Sequence, residues 1–161
     1  MTIHAKPAAA AEMILFTDHV MTMRASFRDA DGLSIIEARA PYGASPPMHV
    51  HRNQDEYFHI LEGSMRFSVG GRESIAHAGQ TVVAPKGVPH SFRVESKPGV
   101  RVLTITKGPD FETLVREMGA ATELTEVTEA MMPTPEQIGM LVAACARNNI
   151  EVVGPPLGPQ A

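Results

Sequence analysis

An antiparallel all-β barrel or sandwich is the fold class this sequence predicts, on three observations. From about Val20 to Thr106, short apolar runs are broken by turn residues every eight to twelve positions, the spacing of hairpin-connected strands. The chain carries 13 glycines and 13 prolines, enough to punctuate many short strands. Asp31-Gly32, Glu62-Gly63 and Gly70-Gly71 each place glycine where a tight connection needs positive φ, and Gly70-Gly71 is the strongest hairpin signal.

The predicted strands, in order, are Val20 to Phe27, Leu33 to Ala40, His49 to His51, Tyr57 to Leu61, Met65 to Val69, Ser74 to Ala76, Thr81 to Ala84, His90 to Val94 and Val100 to Thr106. Ahead of them, Pro7 and the run Ala8 to Ala11 show no alternation of apolar and polar positions and read as an arm. After Thr106 the pattern changes. Phe111 to Met118 reads as a short helix, and Thr134-Pro135-Glu136-Gln137 opens a second one, with Thr134 as N-cap, Pro135 at the first position and Gln137 closing a capping box. Ile138, Leu141, Val142 and Cys145 then recur at helical spacing and predict an apolar stripe packed on the barrel's outside. Asn148-Asn149 ends that helix, and the Gly154-Pro155-Pro156 tail is not expected to continue any regular element. The expected organisation is thus an N-terminal arm (1–19), a barrel (20–108) and a C-terminal helical extension (109–161).

With 161 residues the chain is sized for one core and one site. A net charge of −4 provides no basic field for nucleic acid or an anionic membrane. Cys145 is the single cysteine, so no internal disulfide forms, and burial as core filler is the simpler reading than nucleophile. Met13 to Phe16 is too short for a signal-peptide core or a membrane span, which leaves a cytoplasmic location as the expectation.

The chemistry is concentrated in two segments. The first runs Gly43-x5-His49-x-His51-x4-Glu56-x6-Gly63 and the second Gly79-x5-Pro85-x-Gly87-x2-His90. Given the chain's own residue frequencies, the first arrangement arises by chance in on the order of one such chain in ten thousand. Both segments resemble the two motifs of the cupin superfamily. The resemblance implies a double-stranded β-helix, or jelly-roll barrel, with C-terminal helices packed outside.

Strand geometry explains the spacing. His49 and His51 are two apart, so both imidazoles leave a strand on one face. The polar turn Arg52-Asn53-Gln54-Asp55 reverses the chain, Glu56 begins the return strand, and His90 arrives from a later one. Three neutral imidazoles and a carboxylate suit one divalent Fe, Mn, Ni, Cu or Zn ion, while calcium and magnesium prefer all-oxygen sites. By parity Glu56, Phe58 and Ile60 face inward, and Tyr57, His59 and Leu61 outward. Phe92 and Val94 share the side of His90, and Phe58, Ile60 and Phe92, with Met48 and Met65, are candidates to line an apolar substrate pocket, plain core packing being the alternative for the methionines. Pro46-Pro47 stiffens the approach to His49, and His4, His19 and His77 lie outside any pattern and read as solvated or locally hydrogen-bonded. Val94 stands where the second motif often ends in asparagine.

The C-terminal region is similar to that of small bacterial cupins grouped with quercetin 2,3-dioxygenase. That likeness implies a metal-dependent dioxygenase opening a flavonol-like or other enolisable substrate with O2, Glu56 taking the substrate's hydroxyl proton. A metal-dependent isomerase or lyase, or a non-catalytic ligand-binding cupin, are the alternatives. A homodimer covering the outward Tyr57 and Leu61 is expected, with no nucleic-acid or membrane partner.

Overall fold

The computed structural model describes residues 11–160, so most of the expected arm, and His4 with it, lies outside the described residues. Twelve strands and two α-helices follow in order. The strands are β1 (Met13–Phe16), β2 (His19–Ala25), β3 (Leu33–Ala40), β4 (Pro47–His51), β5 (Glu56–Glu62), β6 (Ser64–Val69), β7 (Arg72–His77), β8 (Thr81–Ala84), β9 (His90–Val94) and β10 (Val100–Lys107), then β11 (Ala120–Ala121) and β12 (Ile150–Pro156). The helices are α1 (Asp110–Met118) and α2 (Pro135–Arg147).

All strand pairs are antiparallel and sort into two sheets. One runs β11-β1-β2-β3-β10-β5-β8 and the other β12-β4-β9-β6-β7, the jelly roll expected. Alternation along each strand sends one face to a shared core, where Ile36, Ala38, Phe58, Ile60 and Val102 of the first sheet join Met65, Phe67 and Val94 of the second. The turn glycines do what the sequence requires of them. Gly63 closes the β5–β6 hairpin at φ 86, and a Cβ there would sit 2.5 Å from both the Gly99 carbonyl oxygen and the Ser96 hydroxyl, so no larger residue fits.

Four features depart from the sequence reading. Met13–Phe16, placed in the arm, is an integral strand between β2 and β11, with Ile14 buried in the core. Its hairpin turn, Thr17-Asp18, lacks the glycine signal because Thr17 itself adopts φ 55. The tail expected to be irregular is β12, paired with β4 through two register shifts. As an edge strand it tolerates Pro155 and Pro156, whose missing N–H groups can face away from the ladder.

The third departure is the buried face of α2. The capping box is present, Thr134 Oγ1 accepting from the Gln137 backbone N–H at 3.2 Å and Gln137 Oε1 from that of Thr134 at 2.8 Å. Ile138 and Val142, however, are 47% and 40% exposed, and the helix packs through Leu141, Ala144 and Cys145 onto Leu114 and Ile150. Asn148 fixes that rotation, donating to the Ala144 carbonyl and to Glu117 Oε2 at 2.9 Å each. The fourth concerns Met48, which lies on the opposite face of β4 from His49 and His51 and lines an outer groove with Arg66 and the Pro155–Pro159 segment. It is therefore not an interior pocket residue.

Candidate metal centre

The site is assembled by three strands and one pinned turn. On β4, His49 and His51 alternate with Met48 and Val50 and share the inward face. His49 stands directly opposite His90 of β9 in the ladder, and the two rings are 4.4 Å apart. Glu56, first residue of β5 in the other sheet, reaches the same point from across the sandwich.

The turn between β4 and β5 is tied on both sides, which sets where Glu56 emerges. Gln54 is buried, donates to the Lys107 carbonyl at 2.9 Å and accepts from the Phe111 backbone N–H at 3.0 Å. Asp55 accepts from the Lys86 backbone N–H at 2.9 Å, and the Gly87 N–H donates to the His51 carbonyl at 2.8 Å. These bonds join the two sequence motifs to each other. Gln54 and Asp55 were read only as turn residues, because their partners are distant in sequence.

One ligating atom from each of His49, His51, Glu56 and His90 lies within 4.8 Å of the other three. Glu56 Oε2 is 3.1 Å from His51 Nε2 and 2.9 Å from His90 Nε2. His49 Nδ1 and His90 Nδ1 donate to the backbone carbonyls of Pro47 and Val88 at 2.8 and 3.0 Å, which orients each ring and directs its Nε2 at the common point. His51 supplies the sharpest test of fit. It is 1% exposed, and neither ring nitrogen makes a hydrogen bond, its approach to Glu56 being close but misdirected. A buried nitrogen without a partner costs about 1–3 kcal/mol, and an ion at the common point would satisfy it. The donor set fits one divalent transition ion.

Electrostatics follow from that crowding. Burial opposes ionisation of Glu56, but the charges of His51 and His90 and the hydrogen bond from His90 outweigh it and hold the carboxyl well below the usual range. Burial also disfavours the charged form of His90, yet its bond to Glu56 and the carboxylate's charge raise it overall. His49 is pushed down to about 4, first by burial and then by the neighbouring His90.

The other predicted site residues separate. Phe58 and Phe92 stand beside the cluster, with Phe58 6.3 Å from the His90 ring and 5.7 Å from Phe92. Ile60 and Met65 are fully buried in the core behind them. Phe67, 5.1 Å from Phe58, shares the parity of Met65 and could have been found by that signal. Phe111 of α1 comes within 5.9 Å of the His51 ring with no spacing signal to announce it. His59 points outward to Thr81 Oγ1 at 2.9 Å, and His77 is exposed. His19 is buried and adjoins Phe92.

Comparison with known proteins bears on the family and the fold. Residues 37–106 match the family model described as the cupin domain. Quercetin 2,3-dioxygenase of Bacillus subtilis (strain 168) is 30% identical over 86 residues, which cover 53% of this chain and 26% of that protein, so the chain spans about a quarter of this relative's length. Ectoine synthase from P. lautus superposes with a TM-score of 0.57 at 16% identity over 77% of this chain and 90% of that one. KdgF from Halomonas sp. gives 0.54 at 18% identity over 60% and 84%. A predicted oxalate decarboxylase from Thermotoga maritima gives 0.53 at 20% identity over 56% and 81%. At such identities the three structures share the fold alone.

Proposed function

This chain carries a cupin domain, matched over residues 37–106, and we propose that it is a metal-dependent dioxygenase acting on a flavonol-like or other small enolisable substrate. The observation that carries this reading is the position of Glu56, the one carboxylate of the cluster, with its Oε2 against two histidine nitrogens and an aromatic wall of Phe58 and Phe92 alongside. The relative from Bacillus subtilis supports it.

His49, His51, His90 and Glu56 would hold the ion, which when bound supplies a Lewis acid that stabilises an oxygen anion of the substrate. Glu56 is ionised at neutral pH and takes the proton of the substrate's enolic hydroxyl. The half-buried Phe92, backed by the core residue Phe58, would be the ring against which a flat substrate stacks, and Phe111 stands 5.9 Å from the His51 ring. Arg66, whose head group is held by Glu73 and Glu95 on the outer side of β6, is turned away from this interior, so a phosphorylated substrate finds no cation there from that strand.

The test is oxygen uptake by protein loaded with Fe, Mn, Ni, Cu or Zn in turn, with quercetin as substrate. Consumption of O2 in proportion to bound metal is expected for at least one ion. No uptake with any of the five would reject the dioxygenase reading in favour of an isomerase, lyase or binding protein. The expected homodimer would cover Tyr57, 41% exposed, and the half-buried Leu61 on β5, with Val83, which pairs with Tyr57 across β5 and β8 and is 43% exposed, extending that face. Light scattering at micromolar concentration should return twice the chain mass, and a monomer mass would reject it.

A further inference from the structure

His19 is the first residue of β2 and lies on the face shared by Met21 and Met23, both members of the main core. It is only 7% exposed, and its ring meets Phe92 edge-on with centroids 6.0 Å apart. Phe92 in turn faces inward two residues from His90. Phe92 and His49 face inward by strand parity and are each half-buried. His19 is thus the last of a series of neighbouring rings that runs from His90 through Phe58 and Phe92.

The histidine is held, not merely present. Its Nδ1 lies 2.8 Å from Asp18 Oδ1. The Asp18 carboxylate is fixed from two further directions, Oδ2 accepting the Met131 backbone N–H at 3.0 Å and Oδ1 the Thr17 hydroxyl at 3.2 Å. The turn that presents the pair places Thr17, a β-branched residue, at φ 55, a strained conformation that needs surrounding structure to hold it. A carboxylate beside Nδ1 keeps the proton on that nitrogen and leaves the lone pair on Nε2. Among the described residues Nε2 makes no hydrogen bond, and it is not among the sealed polar atoms as the His51 nitrogens are.

We propose that His19, oriented by Asp18, is a substrate-positioning residue, its Nε2 accepting a hydrogen bond from a hydroxyl on the part of an aromatic substrate remote from the metal centre. This rests on the flavonol-like reading above for the class of substrate. A flat aromatic lying against Phe92 has one end at the ligands and the other at His19. The hydrogen bond selects substrates hydroxylated at the far end.

Anaerobic titration calorimetry of the metal-loaded protein tests this, with quercetin and 3-hydroxyflavone, which lacks the remote hydroxyls, as the two probes. Quercetin should bind wild type about tenfold tighter than 3-hydroxyflavone, as one net hydrogen bond provides. His19→Phe should erase that ratio while leaving 3-hydroxyflavone affinity within about twofold, and His19→Gln, which keeps an acceptor, should restore part of it. If melting curves show His19→Phe to be unfolded, Asp18→Asn decides on the same ratio, which should fall by about threefold or more. A ratio near one in wild type, or one unchanged in the folded variant, overturns the proposal. Oxygen uptake separates the two readings: turnover without discrimination removes His19 alone, discrimination without turnover removes the dioxygenase alone, and no binding of either probe removes both.

Discussion

Two places inside this barrel set an imidazole against a carboxylate, and they are built differently. Around Glu56, two imidazole nitrogens meet one carboxylate oxygen and a third imidazole completes the cluster, the outer nitrogens being tied to backbone carbonyls in two cases and unpartnered in the third. Around Asp18 there is one imidazole, and the carboxylate's remaining capacity is taken up by a backbone N–H and a neighbouring hydroxyl. The first arrangement leaves several electron pairs aimed at a single point, which is what an ion requires. The second satisfies the acid and leaves one lone pair on the base, which is what a hydrogen-bonded substrate group requires.

Removal of a ligand should have the largest effect. His90→Ala or His49→Ala should abolish stoichiometric metal binding, an affinity loss of about a hundredfold or more, while circular dichroism retains the strand spectrum, because the core of two sheets does not depend on one ion. A full metal equivalent in either variant would show that the ligand set is wrong.

The Asp18 pair should answer to acid instead of to metal. Its hydrogen bonds and the charge of His19 overcome burial and lower Asp18 from 3.8 to about 2. A depressed folded-state value means stabilisation that is complete above the unfolded value of 3.8 and is lost as the pH falls through about 2. Wild type should exceed Asp18→Asn by about 2 kcal/mol in denaturant titrations at pH 5, and the gap should close towards pH 2. A gap that does not narrow would mean that the carboxylate is not the source. At the small end, His59→Ala on the outward face of β5 removes only a bond to Thr81 and should shift stability by less than about 0.5 kcal/mol, with metal content unchanged. Metal loss in that variant would place the site on the wrong face of the strand.

What the sequence revealed follows the same physical divide. His49, His51 and Glu56 sit within one hairpin, where a period of two and a short turn convert spacing into geometry, and His90 is anchored by glycine and proline positions of its own. Asp18 and His19 lie some 30 residues upstream, and nothing local indicates that β2 brings them to Phe92. Likewise β12 was hidden by two prolines that only an edge position tolerates, and its partner β4 is about a hundred residues away. In the stripe of α2, Leu141 and Cys145 pack as the spacing implies, but the small Ala144 completes the close contact while the larger Ile138 and Val142 remain outside. Met48 was assigned to the pocket without applying to β4 the parity that correctly sorted β5.

The central claim is that Glu56 is both part of the metal centre and the group that takes the substrate's proton. The most direct measurement is oxygen uptake per bound metal in Glu56→Gln, which keeps the side chain's shape and an oxygen donor but removes its charge and nearly all its basicity. Metal affinity should fall modestly, and turnover per bound ion should fall by on the order of a hundredfold or more, with excess metal failing to restore it. Full turnover per bound metal in the variant would contradict the claim and remove Glu56 from the chemistry.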